Sequence, residues 1–194
     1  MKNRKTAFWV LILSQIVLAL TDGALTYIAT PDLSYEANPL VAHFGFGWEA
    51  LFISNLIFIG LQIIAVYYAF VKYKSPAIEH STYKEFSSSL FFNRPDKFKW
   101  MFYKLPKNWK PVLAMGGYAL GITLPAARVI TVSEWVLHLM KSPFESYYNE
   151  FRSLFPWSRF DVFFAVILAA VLAVYWTFRE CRINKRMLAR DTDA

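Results

Sequence analysis

The sequence predicts an all-α polytopic membrane protein: four transmembrane helices, both termini cytoplasmic, and short interfacial helices between the spans. Three observations carry this. Of the 194 residues, 56% are hydrophobic and only 18% are charged, against about 25% charged in an average soluble domain. The apolar residues collect in blocks of about the roughly 20 residues that a bilayer-spanning helix requires. The basic residues flank those blocks unevenly. The length suits a single membrane domain, 1–194.

The blocks lie at about 7–29, 48–71, 112–140 and 161–178. Met1-Lys2-Asn3-Arg4-Lys5 ahead of the first block resembles the start of a signal peptide, but the apolar stretch is too long and no small-x-small cleavage site follows it. It is read as a retained first span. Lys2, Arg4 and Lys5 precede span one, nine basic residues lie between Lys72 and Lys110, and five lie between Arg179 and Arg190. The segment joining spans one and two has none. Positive residues favour the cytoplasmic side, so the termini and the 72–111 segment are placed inside, in a prokaryotic inner membrane. Anionic lipid explains a net charge of +7 carried beside spans better than nucleic acid does.

Span one carries Gln15, Asp22 and Thr26, spaced by seven and four and therefore on one helix face. An ionisable residue within a span faces the bundle or a water-filled cavity rather than lipid. Asp22 lies about fifteen residues from the cytoplasmic end, ~22 Å along the axis. After Thr30 the chain reaches Glu36-Ala37-Asn38-Pro39. Asn38 is a favoured N-cap and Pro39 suits a first helical position, predicting a short helix to about Phe44. This stretch is either a structural corner or, through Glu36, Asn38 and His43, part of a site.

Span two carries Asn55 and Gln62 on one face. In an antiparallel pair they match the depths of Asp22 and Gln15, predicting hydrogen bonds between spans one and two. The segment 72–111 mixes lysines with Phe86, Phe91, Phe92, Phe98, Trp100, Phe102, Tyr103 and Trp109. It reads as a membrane-surface segment, rings toward lipid and ammonium groups toward water, with a partner-protein surface as the competing reading. Pro95, Pro106 and Pro111 prevent one long helix.

Span three holds a Gly117/Gly121 spacing that permits close helix approach, and Pro125, expected to kink it. Arg128 lies about sixteen residues from the cytoplasmic end, ~24 Å, essentially the depth of Asp22. A buried arginine without a counter-charge is expensive, so Asp22 and Arg128 are predicted to pair. The pair is either a register-fixing device or a functional element. Glu134 and His138 share a face that excludes Arg128, because six residues rotate a helix by about 240°. Glu145, Tyr148 and Arg152 follow one face of a short helix between spans three and four. Span four, with Ala165, Ala169 and Ala173 spaced by four, offers a small-residue packing seam.

The binding residues expected from this pattern are Asp22, Thr26, Glu36, Asn38, His43, Asn55, Arg128 and Glu134. The catalytic candidates, if the chain is an enzyme, are Asp22, Glu36, Arg128 and His138. The carboxylates and histidines match no metal-ligand spacing, and no metal or other cofactor is expected. Cys181, the single cysteine, rules out an intrachain disulfide. No G-x-S-x-G, P-loop or G-x-G-x-x-G occurs, and the short chain without internal repeats argues against a self-contained transporter.

Asp22, Thr26 and Glu36-Ala37-Asn38-Pro39 resemble an uncharacterised family of small prokaryotic membrane proteins. In that family an Asp and following threonines close the first span, and Glu-x-Asn-Pro precedes the second. The resemblance covers about a fifth of the chain, 18–59, and implies a four-span fold but no activity. Two functions follow as expectations. The first is an accessory or assembly subunit of a larger membrane complex, binding through an outward polar pocket to other membrane subunits or its own copies. The alternative is a self-contained intramembrane hydrolase or transferase acting on a lipid or lipid-linked substrate.

Overall fold

A computed structural model describes residues 2–34, 41, 44–80, 82–155 and 159–192. Its elements are α1 (Lys2–Ala29), α2 (Trp48–Tyr67) continued by a π-helical turn (Tyr68–Lys72), α3 (Tyr83–Phe92), a 3₁₀ turn (Phe98–Phe102), α4 (Trp109–Leu139), α5 (Phe144–Ser153) and α6 (Phe160–Thr192). Among the described residues there is no strand.

Four helices are long and apolar enough to cross a membrane: Asn3–Ala29, Trp48–Lys72, Trp109–Leu139 and Phe160–Arg190. Only 11% to 28% of each apolar stretch is buried within the protein. Large apolar side chains such as Leu20, Phe58, Ile64 and Val166 stay more than 60% exposed. Water does not tolerate so much apolar surface, whereas a bilayer covers it. The chain is a membrane protein whose four apolar helices are compatible with a transmembrane helical bundle.

The helices outrun the predicted blocks most at two places. α1 begins at Lys2 rather than near Ala7, so the amino-terminal basic residues are helical. α6 continues to Thr192 rather than stopping near Phe178. Its extension is not held by hydropathy. Trp176, Thr177, Glu180, Cys181 and Asn184 form one buried stripe at helical spacing, which keeps the basic tail ordered. α4 runs through Pro125.

The chain forms two compact units, and each long helix contributes a stretch to both. The first unit comprises Met1–Phe8, Ala65–Leu120 and Ala169–Ala194. Its core contains Tyr73, Phe86, Leu90, Phe91, Phe92, Ala114, Trp176 and Cys181. Phe86, Phe91 and Phe92 are therefore not lipid-facing rings: they are 0%, 3% and 2% exposed. α3 turns them inward, held at its start by a capping box between Thr82 and Glu85 and at its end by Asn93 in the left-handed conformation, φ 58°. Phe102, Tyr103 and Trp109 stay exposed, as expected of rings at a surface. Buried Asn184 ties α6 to the segment after the π turn, accepting from the Ile78 amide and donating to the Pro76 and Ile78 carbonyls. Gly117 of α4 lies against the backbone of Ala65 in α2, where a β-carbon would collide with the Ala65 carbonyl.

The first unit also holds a costly buried carboxyl group. Glu180 is 0% exposed, and the Arg4 guanidinium lies 3.7 Å from its Oε1 while donating to the Tyr73 carbonyl. Neither Glu180 oxygen accepts a hydrogen bond from the protein. Removing one partner of a buried ion pair costs about 3–5 kcal/mol, and Arg4 is one-third exposed, so Arg4→Met is expected to cost about 2 kcal/mol. Adding Glu180→Gln should recover most of that loss. Thermal unfolding of the two variants in detergent checks this; equal losses in the single and double variants would show that the pair has no such coupling.

The second unit comprises Trp9–Ile64 and Gly121–Leu168. After α1 the chain turns through Leu33, φ 60°. The Ser34 amide and hydroxyl and the Thr30 hydroxyl hold the Asp32 carboxyl below its usual range. The Trp48 indole donates to the Pro31 carbonyl at 2.8 Å and packs edge-on against Tyr27. Between α4 and α5 the chain reverses at Lys141, φ 47°. The Lys141 amide donates to the His138 carbonyl and the Ser142 amide to the Leu137 carbonyl, which is a Schellman closure. Phe155 packs against Phe151, Phe160 and Phe163, joining the end of α5 to the start of α6.

Candidate functional site: a polar cavity in the second unit

The helices of the second unit line a half-open cavity of about 700 Å³. α1 supplies Gln15, Asp22 and Thr26, at the spacing that the sequence places on one face. α2 supplies Asn55 and Gln62, and α4 supplies Leu124, Ala127, Arg128, Thr131, Glu134, Trp135 and His138. α5 adds Glu145, Tyr148, Asn149 and Arg152, and Arg159, just ahead of α6, and Asp161 of α6 complete the wall.

Arg128 is the hub. Its Nη1 donates to Asp22 Oδ2 at 3.0 Å and its Nη2 to Asn55 Oδ1 at 2.7 Å. The predicted Asp22–Arg128 pair is thus present, with side chains 22% and 18% exposed. The link between α1 and α2 runs through this guanidinium. The Asn55 amide nitrogen is spent on the Leu51 carbonyl of its own helix, 2.9 Å away. At the other polar layer, Gln15 and Gln62 are 3% and 4% exposed, and Gln15 Oε1 and Gln62 Nε2 have no protein hydrogen-bond partner. Buried amides of this kind need a polar partner such as water.

Six residues set Arg128 and Glu134 about 120° apart around α4. Arg128, Glu134 and His138 nonetheless all line the cavity, because the α4 residues facing it, Leu137 among them, span about half of the helix circumference. Glu134 is held from α5: the Tyr148 hydroxyl donates to its Oε1, and Arg152 Nη1 lies 3.5 Å from its Oε2. Burial, and then the adjacent Glu134 carboxylate, push the Tyr148 phenol far above its usual range, so it acts as a neutral donor. His138 Nδ1 lies 2.7 Å from Glu145 Oε1, on the more exposed side. Arg159 makes a two-pronged contact with Asp161, at 2.9 and 2.8 Å.

The structure therefore gathers Asp22, Thr26, Asn55, Arg128, Glu134 and His138 around one cavity. Glu36, Asn38 and His43 lie outside the described residues. Sequence reasoning placed Glu145, Tyr148 and Arg152 on one face but did not assign them to the site, and it passed over Asn149, Arg159 and Asp161. The signal for Glu145, Tyr148 and Arg152 was the i, i+3, i+7 spacing in a segment too polar for a mere aromatic anchor. The wall carries both cations and carboxylates, so the cavity suits a polar group carrying hydrogen-bond donors and acceptors or both charges. Among the described residues no cluster of three His, Cys, Asp or Glu could hold a metal ion. No protein-family model, no curated protein and no solved structure matches the chain.

Proposed function

We propose that the chain is an accessory or assembly subunit of a larger membrane complex, and that the cavity of the second unit is its binding site for a polar group. The observation that carries this reading is the mutual pairing around Arg128. Its guanidinium is committed to Asp22 and Asn55, and Glu134 is committed to Tyr148 and Arg152. Such a wall is preorganised for recognition. General acid–base chemistry needs a proton-exchanging side chain within reach of the reacting group. Two of the catalytic candidates, Asp22 and Arg128, are spent on each other and on Asn55, which supports binding over the intramembrane hydrolase or transferase.

The basic flanks of the spans support a placement with both termini cytoplasmic and the Asp22–Arg128 layer in the outer half of a prokaryotic inner membrane. In that placement α3, the 3₁₀ turn and α5 lie at the membrane interfaces, and the basic 72–111 segment meets anionic lipid.

Extraction of the tagged protein in mild detergent, followed by sizing and identification of co-purifying chains, tests the reading. The expected result is one or more partner chains at fixed stoichiometry, lost from the Asp22→Leu/Arg128→Met variant. Recovery of a monomer or homo-oligomer without partners would overturn the subunit assignment.

A further inference from the structure

The first unit contains a cavity of its own, about 640 Å³, separate in its lining from the one around Arg128. Three lysines line it, Lys72, Lys74 and Lys110, together with Asn93, Asn108 and Tyr68. Among the described residues lining it there is no carboxylate. Three ammonium groups around one concavity without a counter-anion make an anion site, and the amides and phenol add neutral hydrogen-bond capacity.

The cavity is built by irregular backbone. α2 ends in a π-helical turn in which the Tyr73 amide donates to the Tyr68 carbonyl at 2.8 Å. The chain then leaves in extended conformation through Tyr73, φ −68° and ψ 129°. The π turn therefore brings Tyr68 and Lys72 to the cavity, and the extended residues bring Lys74. π turns of this kind recur at functional sites. The opposite wall is pinned by Asn108, whose Nδ2 donates to the Leu90 carbonyl and whose Oδ1 accepts the Lys110 amide.

The position of the lysines selects the anion. Lys72 is the last residue of one apolar span, Trp48–Lys72, and Lys110 is the second residue of the next, Trp109–Leu139. Span ends lie at the headgroup layer whichever way the protein faces. Phosphates of anionic lipids are concentrated there and attract juxtamembrane lysines. We propose that the Lys72/Lys74/Lys110 cavity binds the phosphate of an anionic phospholipid headgroup. This site rests on the membrane placement proposed above and turns a diffuse attraction to anionic lipid into a defined seat.

Native mass spectrometry of the full chain in a mild nonionic detergent tests it, with dioctanoyl phosphatidylglycerol as probe and dioctanoyl phosphatidylcholine as the neutral comparison. The expected result is one tightly held phosphatidylglycerol, preferred over phosphatidylcholine by at least about tenfold. Lys72→Gln/Lys74→Gln/Lys110→Gln should lower phosphatidylglycerol affinity on the order of 100-fold, since each lysine near such a charge contributes several-fold. The three arginine replacements together should retain binding. All three side chains are exposed, so the variants should fold. A control triple, Lys84→Gln/Lys99→Gln/Lys185→Gln, should leave the preference intact. Equal binding of the two lipids, or an equal loss in the control, would overturn the site. Displacement of phosphatidylglycerol by inorganic phosphate at similar concentration would overturn the lipid assignment in favour of a free anion. The readout is lipid, not partner chains, so its failure is distinct from failure of the subunit reading.

Discussion

Replacing Arg128 by methionine is expected to cost about 3 kcal/mol of stability. In a chain of this size that lowers the thermal midpoint by roughly 6–12 °C. The substitution keeps most of the side-chain volume but removes the guanidinium from Asp22 and Asn55. It leaves a carboxylate in a membrane-spanning helix without its cation, and breaking a buried pair from one side is far more costly than removing it whole. The figure is taken at the low end because the two side chains are 18% and 22% exposed. Asp22→Leu added to Arg128→Met should restore stability to within about 1 kcal/mol, the remainder being the donor lost by Asn55. That double variant separates the two readings of the pair. If it folds and still holds the partner chains that the proposed subunit role requires, the pair only fixes helix register. If it folds and releases them, the pair belongs to the binding site. An undiminished midpoint in the single variant would show that Arg128 is not the hub of the cavity wall.

The second large effect concerns adjacent glycines with opposite expectations. Gly117→Ala should destabilise by about 1–3 kcal/mol, the usual cost of forcing a methyl group into a packed contact. The added β-carbon would meet the Ala65 carbonyl, which is backbone and cannot swing aside, and would lie 3.0 Å from the Ala69 β-carbon. Gly116→Ala places its β-carbon in open space, with nothing within 4 Å. It should be neutral or stabilise slightly, since alanine is the better helix former by up to about 1 kcal/mol. Melting curves of the two variants side by side check this. Equal midpoints would refute a close approach of α2 to α4 at Gly117.

The Asp22–Arg128 pair was legible in the sequence because depth is linear along a spanning helix. Two opposite charges at the same distance from the basic ends of their spans have few alternatives to each other. The face shared by Gln15, Asp22 and Thr26 was legible for the same reason, being set by helical periodicity alone. The hold of Tyr148 and Arg152 on Glu134 was not. It depends on the reversal at 140–143, where a lysine rather than a glycine adopts the left-handed conformation, so the usual mark of a helix end is missing. Nor could six residues of separation show that Arg128 and Glu134 border one cavity, because that depends on how wide a stripe the neighbouring helices leave open.

Similar limits apply to Phe86, Phe91 and Phe92. A stretch of aromatics and lysines has the same composition whether its rings enter lipid or a protein core, and only the packing of α3 against Trp176 and Ala114 decides between them. The carboxyl-terminal end of α6 is a further case: hydropathy ends near Phe178, while the buried stripe that keeps the helix going is polar, through Glu180 and Asn184. What the sequence by itself determined was four apolar helices of bilayer length and the pairing of the charges buried among them, because the cost of exposing backbone or charge to lipid leaves one inexpensive solution. What only the tertiary structure decided was which rings face inward and how the polar residues close around a cavity, because those depend on side-chain direction and chain reversal, which local composition does not encode.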